Sequence, residues 1–74
     1  MAENLTIRAE IAAAVWKIVA SAGTRVVEGD PIVILESMKM EIPMIAPRAG
    51  TLAEILVEEG QQVEEGQPVA TLAP

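Results

Sequence analysis

The chain has 74 residues and a mass of 7.8 kDa, room for one domain at the small end of what folds alone, where folding buries only roughly 60% of the unfolded surface. Hydrophobic residues make up 51% and Trp16 is the single aromatic, so disorder is disfavoured and the core must be aliphatic. Five basic against eleven acidic residues give a net charge of −6, a poor match for nucleic acid; the absence of Cys and His removes disulfides, thiol and imidazole chemistry and the usual zinc ligands, so no metal site is expected.

The amino terminus, Met1-Ala2-Glu3-Asn4, lacks the basic-then-apolar pattern of an export signal, and no apolar run reaches the roughly 18 residues of a membrane span. A cytoplasmic chain with no membrane partner is expected. The next stretch reads two ways. Ile7, Ile11, Val15, Ile18 and Ala22 fit a helical stripe, and three consecutive alanines favour a helix. Val15, Lys17 and Val19 alternating with Trp16, Ile18 and Ala20 fit a strand buried on both sides, and strand is the better reading because Gly50 interrupts the corresponding helix farther along. The turn cluster Gly29-Asp30-Pro31 then introduces Ile32-Val33-Ile34-Leu35, a β-branched run with Pro at a strand's first position. Gly66-Gln67-Pro68 introduces Val69-Ala70-Thr71-Leu72 in the same way.

That likeness is part of a repeat. The stretch from Gly23 to Leu35 lies over the stretch from Gly60 to Leu72 at an offset of 60 − 23 = 37, with identities at Gly23/Gly60, Val26/Val63, Glu28/Glu65, Gly29/Gly66, Pro31/Pro68 and Leu35/Leu72. Carried backward, the same offset pairs Ala9 with Ala46, Ala12 with Ala49, Val15 with Leu52 and Ile18 with Ile55. One domain over 1–74, with copies at 9–37 and 46–74, is expected. Two copies are too few for an open solenoid, so they should close on each other about an approximate twofold axis. Only 38–45 lacks a counterpart, and by symmetry it stands at the pole opposite the termini.

The unpaired segment opens with Glu36-Ser37-Met38-Lys39-Met40-Glu41 and contains one of only two lysines. In an extended segment Met38 and Met40 project to one side and Lys39 to the other, and a hairpin tip would put the ammonium in solvent. Two methionines plugging a core edge beside an ordinary solvated lysine is the plain alternative. Against it, the lysine sits at the unrepeated pole, between identical flexible thioethers, with carboxylates three residues before and two after.

Glu36-Ser37-Met38-Lys39-Met40 resembles the Glu-Ala-Met-Lys-Met signature of the biotinyl domain of biotin-dependent carboxylases, differing only at Ser37. The resemblance covers almost the whole chain, including Gly23 to Asp30 before the motif and Ala46-Pro47-Arg48-Ala49-Gly50 after it. It implies an all-β fold, a flattened β-barrel (barrel-sandwich hybrid) of two four-stranded antiparallel sheets, with Lys39 on the turn that joins the halves. It also implies biotin as the covalent cofactor on Lys39, attached by a biotin protein ligase, with Glu36, Met38 and Met40 as flanking recognition residues. Biotin carboxylase and carboxyltransferase are the further partners implied, the domain being a carrier and not an enzyme alone. The related lipoyl domains usually have Asp-Lys-Ala at the turn, so a lipoyl carrier, like an unmodified interaction module, is the weaker reading. Glu10 and Ala13 stand where the second copy has Pro47 and Gly50, which implies a local difference in the first turn.

A solvated lysine is overwhelmingly protonated at neutral pH, and Glu36 and Glu41 cannot help remove its proton, so the ligase must supply the deprotonation. Glu54, Glu58, Glu59, Glu64 and Glu65 read as a solvated face that keeps an aliphatic domain soluble. Met1 and the lack of an Ala/Pro-rich linker point to a free-standing chain.

Overall fold

In the computed structural model, which describes residues 4–74, the chain forms eight strands. They are β1 (Leu5–Arg8), β2 (Ala13–Ile18), β3 (Arg25–Val26), β4 (Pro31–Ser37), β5 (Met40–Ile45), β6 (Gly50–Ile55), β7 (Gln62–Val63) and β8 (Pro68–Ala73). Met1, Ala2 and Glu3, read above for an export signal, lie outside the described residues. Among the described residues no helix is long and apolar enough to cross a membrane.

All pairings are antiparallel, and they build two four-stranded sheets ordered β1-β8-β6-β3 and β5-β4-β2-β7. Inward-facing aliphatic side chains of both sheets form one core. Val15, Ile32, Val33, Leu35, Leu52, Val63, Val69 and Leu72 are essentially inaccessible, and no polar or charged residue among those described is buried with them. The two sheets form the flattened barrel that the resemblance implied.

Each sheet draws two strands from either side of the β4–β5 turn, and the strands obey the offset of 37. β2, β3 and β4 reappear as β6, β7 and β8, and β1 matches the last four residues of β5, which extends the correspondence to residues 5–8, ahead of where the sequence copies begin. The backbone hydrogen bonds that lock the halves exchange under the same operation. Ala9 N–H donates to the Gln67 carbonyl and Ala46 N–H to that of Asp30; Gly66 N–H donates to Ala9 and Gly29 N–H to Ala46; Val15 N–H donates to Gln61 and Leu52 N–H to Thr24. Gly23, Gly29, Gly60 and Gly66 all have φ between 85 and 92° with open space where a Cβ would stand, so left-handed backbone, and not crowding, selects glycine there.

One sequence expectation needs correction. The stretch around Val15 is a strand, but one buried on a single face: Val15 is buried while Trp16, Lys17 and Val19 are exposed. A β-bulge between Val15 and Lys17 sets both Trp16 and Lys17 against Ile34, so inward positions 15 and 18 are three apart and imitate a helical spacing. The first turn differs from the second locally, as Glu10 and Ala13 in place of Pro47 and Gly50 implied: Ala13 carries a Cβ where one at the symmetric Gly50 would meet the Ala73 carbonyl oxygen. Ala9 and Ala46 are nevertheless both buried and make equivalent bonds on either side of the symmetry. The acidic cluster is exposed throughout, as expected of a solvated face, and within it the Glu59 carboxylate also accepts a hydrogen bond from the Ile18 backbone N–H at 3.0 Å.

Gly50 differs from the turn glycines. A Cβ there would collide with the Ala73 carbonyl oxygen and press on the Leu72 side chain, both parts of the neighbouring strand β8. Gly50→Ala is therefore expected to lower the unfolding free energy by about 1–3 kcal/mol, measured by chemical denaturation, while Gly23→Ala, with space but an unfavourable φ, should cost about 1 kcal/mol.

Candidate functional site

Strands β4 and β5 pair with Leu35 opposite Ile42, Glu36 opposite Glu41 and Ser37 opposite Met40. Only Met38 and Lys39 remain to make the connection, with φ of 52° and 66°. A two-residue hairpin with both central residues left-handed is a type I′ turn, whose twist matches that of the flanking strands. Such turns favour Asn-Gly, and a side-chain-bearing residue in this region carries a cost of roughly 1–2 kcal/mol. The residues at this tip are thus not those that turn stability would choose.

Met38 and Lys39 are the two corners of the turn, which is where the resemblance implied Lys39 would stand; the alternation of an extended segment does not hold across them. The methionines plug nothing: Met38 is 92% exposed and Met40 64%. Lys39 is exposed as well, and it takes part in none of the side-chain hydrogen bonds among the described residues. The geometry brings Met38 and Met40 directly beside the lysine, with half-buried Ser37 closing the turn.

Glu36 and Glu41 lie one pair below the tip, directly opposite each other, and both are exposed. Adjacent like charges on one sheet face destabilise a pair. Sequence reading counted both carboxylates but missed their juxtaposition; the hairpin register, with two residues in the turn, would have disclosed it. Lys17 stands on β2 opposite Ile34, away from the tip.

The sequence profile of the family described as "Biotin-requiring enzyme" matches residues 7–72. The chain belongs to the biotin-requiring enzyme family. Within it, the biotinylated protein TB7.3 homolog of Mycobacterium leprae is 42% identical over 73 residues, spanning 99% of this chain and all of that protein. The biotin/lipoyl attachment protein of Bacillus subtilis is 39% identical over 69 residues, 93% of this chain and 94% of its own length. A solved single-chain, multi-domain long-chain acyl-CoA carboxylase superposes with a TM-score of 0.89 at 33% identity over 95% of this chain. This domain spans only 7% of that carboxylase.

The tip fits a group held by an amide. An amine on an exposed two-residue turn is open to an acylating enzyme, and the four methylenes of its side chain lift the nitrogen clear of the backbone. No buried charge or hydrogen bond is sacrificed when the cation is neutralised. The conformational cost of the tip is itself measurable. Replacing Met38 by Asn and Lys39 by Gly together should raise the unfolding free energy by about 1 kcal/mol, the relieved strain being partly offset by the freer unfolded glycine; a thermal melt of the double variant tests it.

Proposed function

We propose that residues 1–74 form one attachment domain in which Lys39 is the biotinylated residue, and that the chain acts in the cytoplasm as the carboxyl carrier of a biotin-dependent carboxylase. The observation that carries this reading is the turn: a lysine unengaged in any side-chain hydrogen bond among the described residues stands at the apex of a type I′ hairpin. The family membership and the biotinylated relative support the same residue's acylation by biotin.

The amine must lose a proton before it attacks. The ionisable residues paired next to the tip are the carboxylates Glu36 and Glu41, and the chain has neither His nor Cys, so deprotonation falls to a biotin protein ligase. The Lys39 nitrogen then attacks the acyl carbon of adenylated biotin, the C–N bond forms, AMP leaves, and the ammonium charge is lost, taking the net charge from −6 to −6 − 1 = −7. Once bound, biotin supplies a ureido nitrogen that can hold a carboxyl group between biotin carboxylase and carboxyltransferase. The chain's own part is mechanical. A short, paired hairpin confines the arm near both partner sites and raises its effective concentration there, while Met38 and Met40 offer flexible thioether surface that can adapt to several partners. The domain contributes no catalytic group of its own.

Incubation with a biotin protein ligase, ATP and biotin should add one biotinyl group per chain, read by intact mass. Lys39→Arg should abolish the addition. Lys17→Arg should leave it unchanged, and absence of added mass, or modification that persists in Lys39→Arg, would sink the assignment.

A further inference from the structure

The internal symmetry supplies a control for deciding which surface residues the fold requires. On the outward face of the β2–β4–β5 sheet, the bulge residues Trp16 and Lys17 stand opposite Ile34, which stands opposite Pro43. The equivalent row on the other sheet has Ala53 and Glu54 at the bulge, then Thr71, then Thr6. Backbone, register and bulge are the same, so the fold accepts alanine and threonine at these places. Only the sheet carrying the Lys39 hairpin has an apolar row, and it holds the single aromatic residue, which is 48% exposed in a protein whose aliphatic core has no other ring. Ile45, two residues beyond Pro43 and 53% exposed, extends the row where the other sheet has Arg8.

We infer that this face, centred on Trp16, Ile34 and Pro43, is the docking surface for the enzyme that acylates Lys39. The inference rests on Lys39 being the attachment residue. Distance favours that enzyme over those that act later. Amide formation requires a catalytic site within bonding distance of the Lys39 nitrogen itself, whereas a group at the far end of a biotin arm is met a full arm's length away. The Ile34–Pro43 pair is three residue pairs below Ser37–Met40, on the order of 10 Å along the strands. An interface covering roughly 800 Å² on each partner and including the tip reaches that far. The chemistry of the occupant follows from what lies between. Glu36 and Glu41, facing outward between the apolar row and the tip, call for cationic side chains, and Trp16 calls for an apolar pocket, the kind of anchor on which interfaces concentrate their binding energy. The fitting surface is therefore an apolar cleft bordered by Arg or Lys on the side toward the acylation site.

The other sheet dictates the test. Trp16→Ala, Ile34→Thr and Pro43→Thr install the residues already present at the symmetric positions. With a purified ligase, the triple variant should show a KM for the apo chain raised about tenfold or more, an ordinary loss for removal of an interface anchor, with kcat retained because Lys39 and its turn are untouched. Thr71→Ile on the opposite face should leave both constants unchanged. A folded Lys39→Arg chain should inhibit biotinylation of the wild type competitively, and lose that inhibition when the triple substitution is added. If the triple variant does not melt cooperatively, Ile34→Thr alone is used in both assays. Unchanged KM and undiminished competition overturn the docking surface while leaving the attachment site intact; failure of the wild-type chain to gain mass overturns both.

Discussion

Neither half of this chain can complete a sheet, and that constraint governs the rest of the structure. β1 is hydrogen-bonded only to β8, and β3 only to β6, while β7 is bonded to β2, so every short edge strand leans on a strand from the other half. The bonds at Ala9 and Ala46 fasten these exchanges at two symmetric points, each alanine donating through its N–H and accepting through its carbonyl across the halves. Folding must therefore bring distant residues together, Leu5 with Leu72 and Ala13 with Val63, before either core face is covered, a loop-closure cost that local turns alone cannot offset. The four left-handed glycines lower part of that cost by fixing the paths between the strands without strain.

Turns and the repeat were legible in the amino-acid sequence because they depend on residue types with narrow conformational roles. Gly29-Asp30-Pro31 and Gly66-Gln67-Pro68 specify a turn and a strand start whatever surrounds them, and their recurrence implies the twofold. The stretch from Ile7 to Ala22 was harder to read because its pattern is set by tertiary structure. The bulge places Trp16 and Lys17 on the same side, so Val15 and Ile18 point inward at a spacing a helix would also produce. That bulge is invisible to a count of apolar residues. Leu52 and Ile55 repeat the spacing around a bulge of their own, and comparison of the copies favoured a strand only because Gly50 weakens the helical alternative.

The candidate site was legible as a residue and not as a geometry. Lys39 stood out by scarcity, by its flanking methionines and by its place in the unrepeated segment. Its place on a turn came from the resemblance, while strand-like alternation fails across Met38 and Lys39 because they belong to that turn. Two left-handed residues without glycine or asparagine give no sequence signal; the turn is enforced by six register pairs between β4 and β5. Strand pairing holds Met38 and Lys39 in a conformation they do not prefer, and such over-determination is what permits strained residues at functional sites.

The twofold axis also explains why one pole can be specialised freely. The operation that carries β4 and β5 onto β8 and β1 carries the Leu35–Ile42 pair onto Leu72–Leu5. The Met38-Lys39 turn therefore corresponds to a second hairpin whose connection is missing, since there the paired strands are the last and first of the domain. At that pole the backbone is open and either end can be extended without disturbing a ladder. At the other the link is covalent, short and held by pairing on both sides, so whatever is attached to Lys39 inherits the orientation of the β4–β5 ladder. The chain covers 7% of a multi-domain acyl-CoA carboxylase of the same fold and aligns with the whole of the mycobacterial relative. A domain whose first and last strands pair with each other, opposite the Lys39 turn, is compatible with both arrangements, because continuation into a larger chain and exposure of the lysine use different poles.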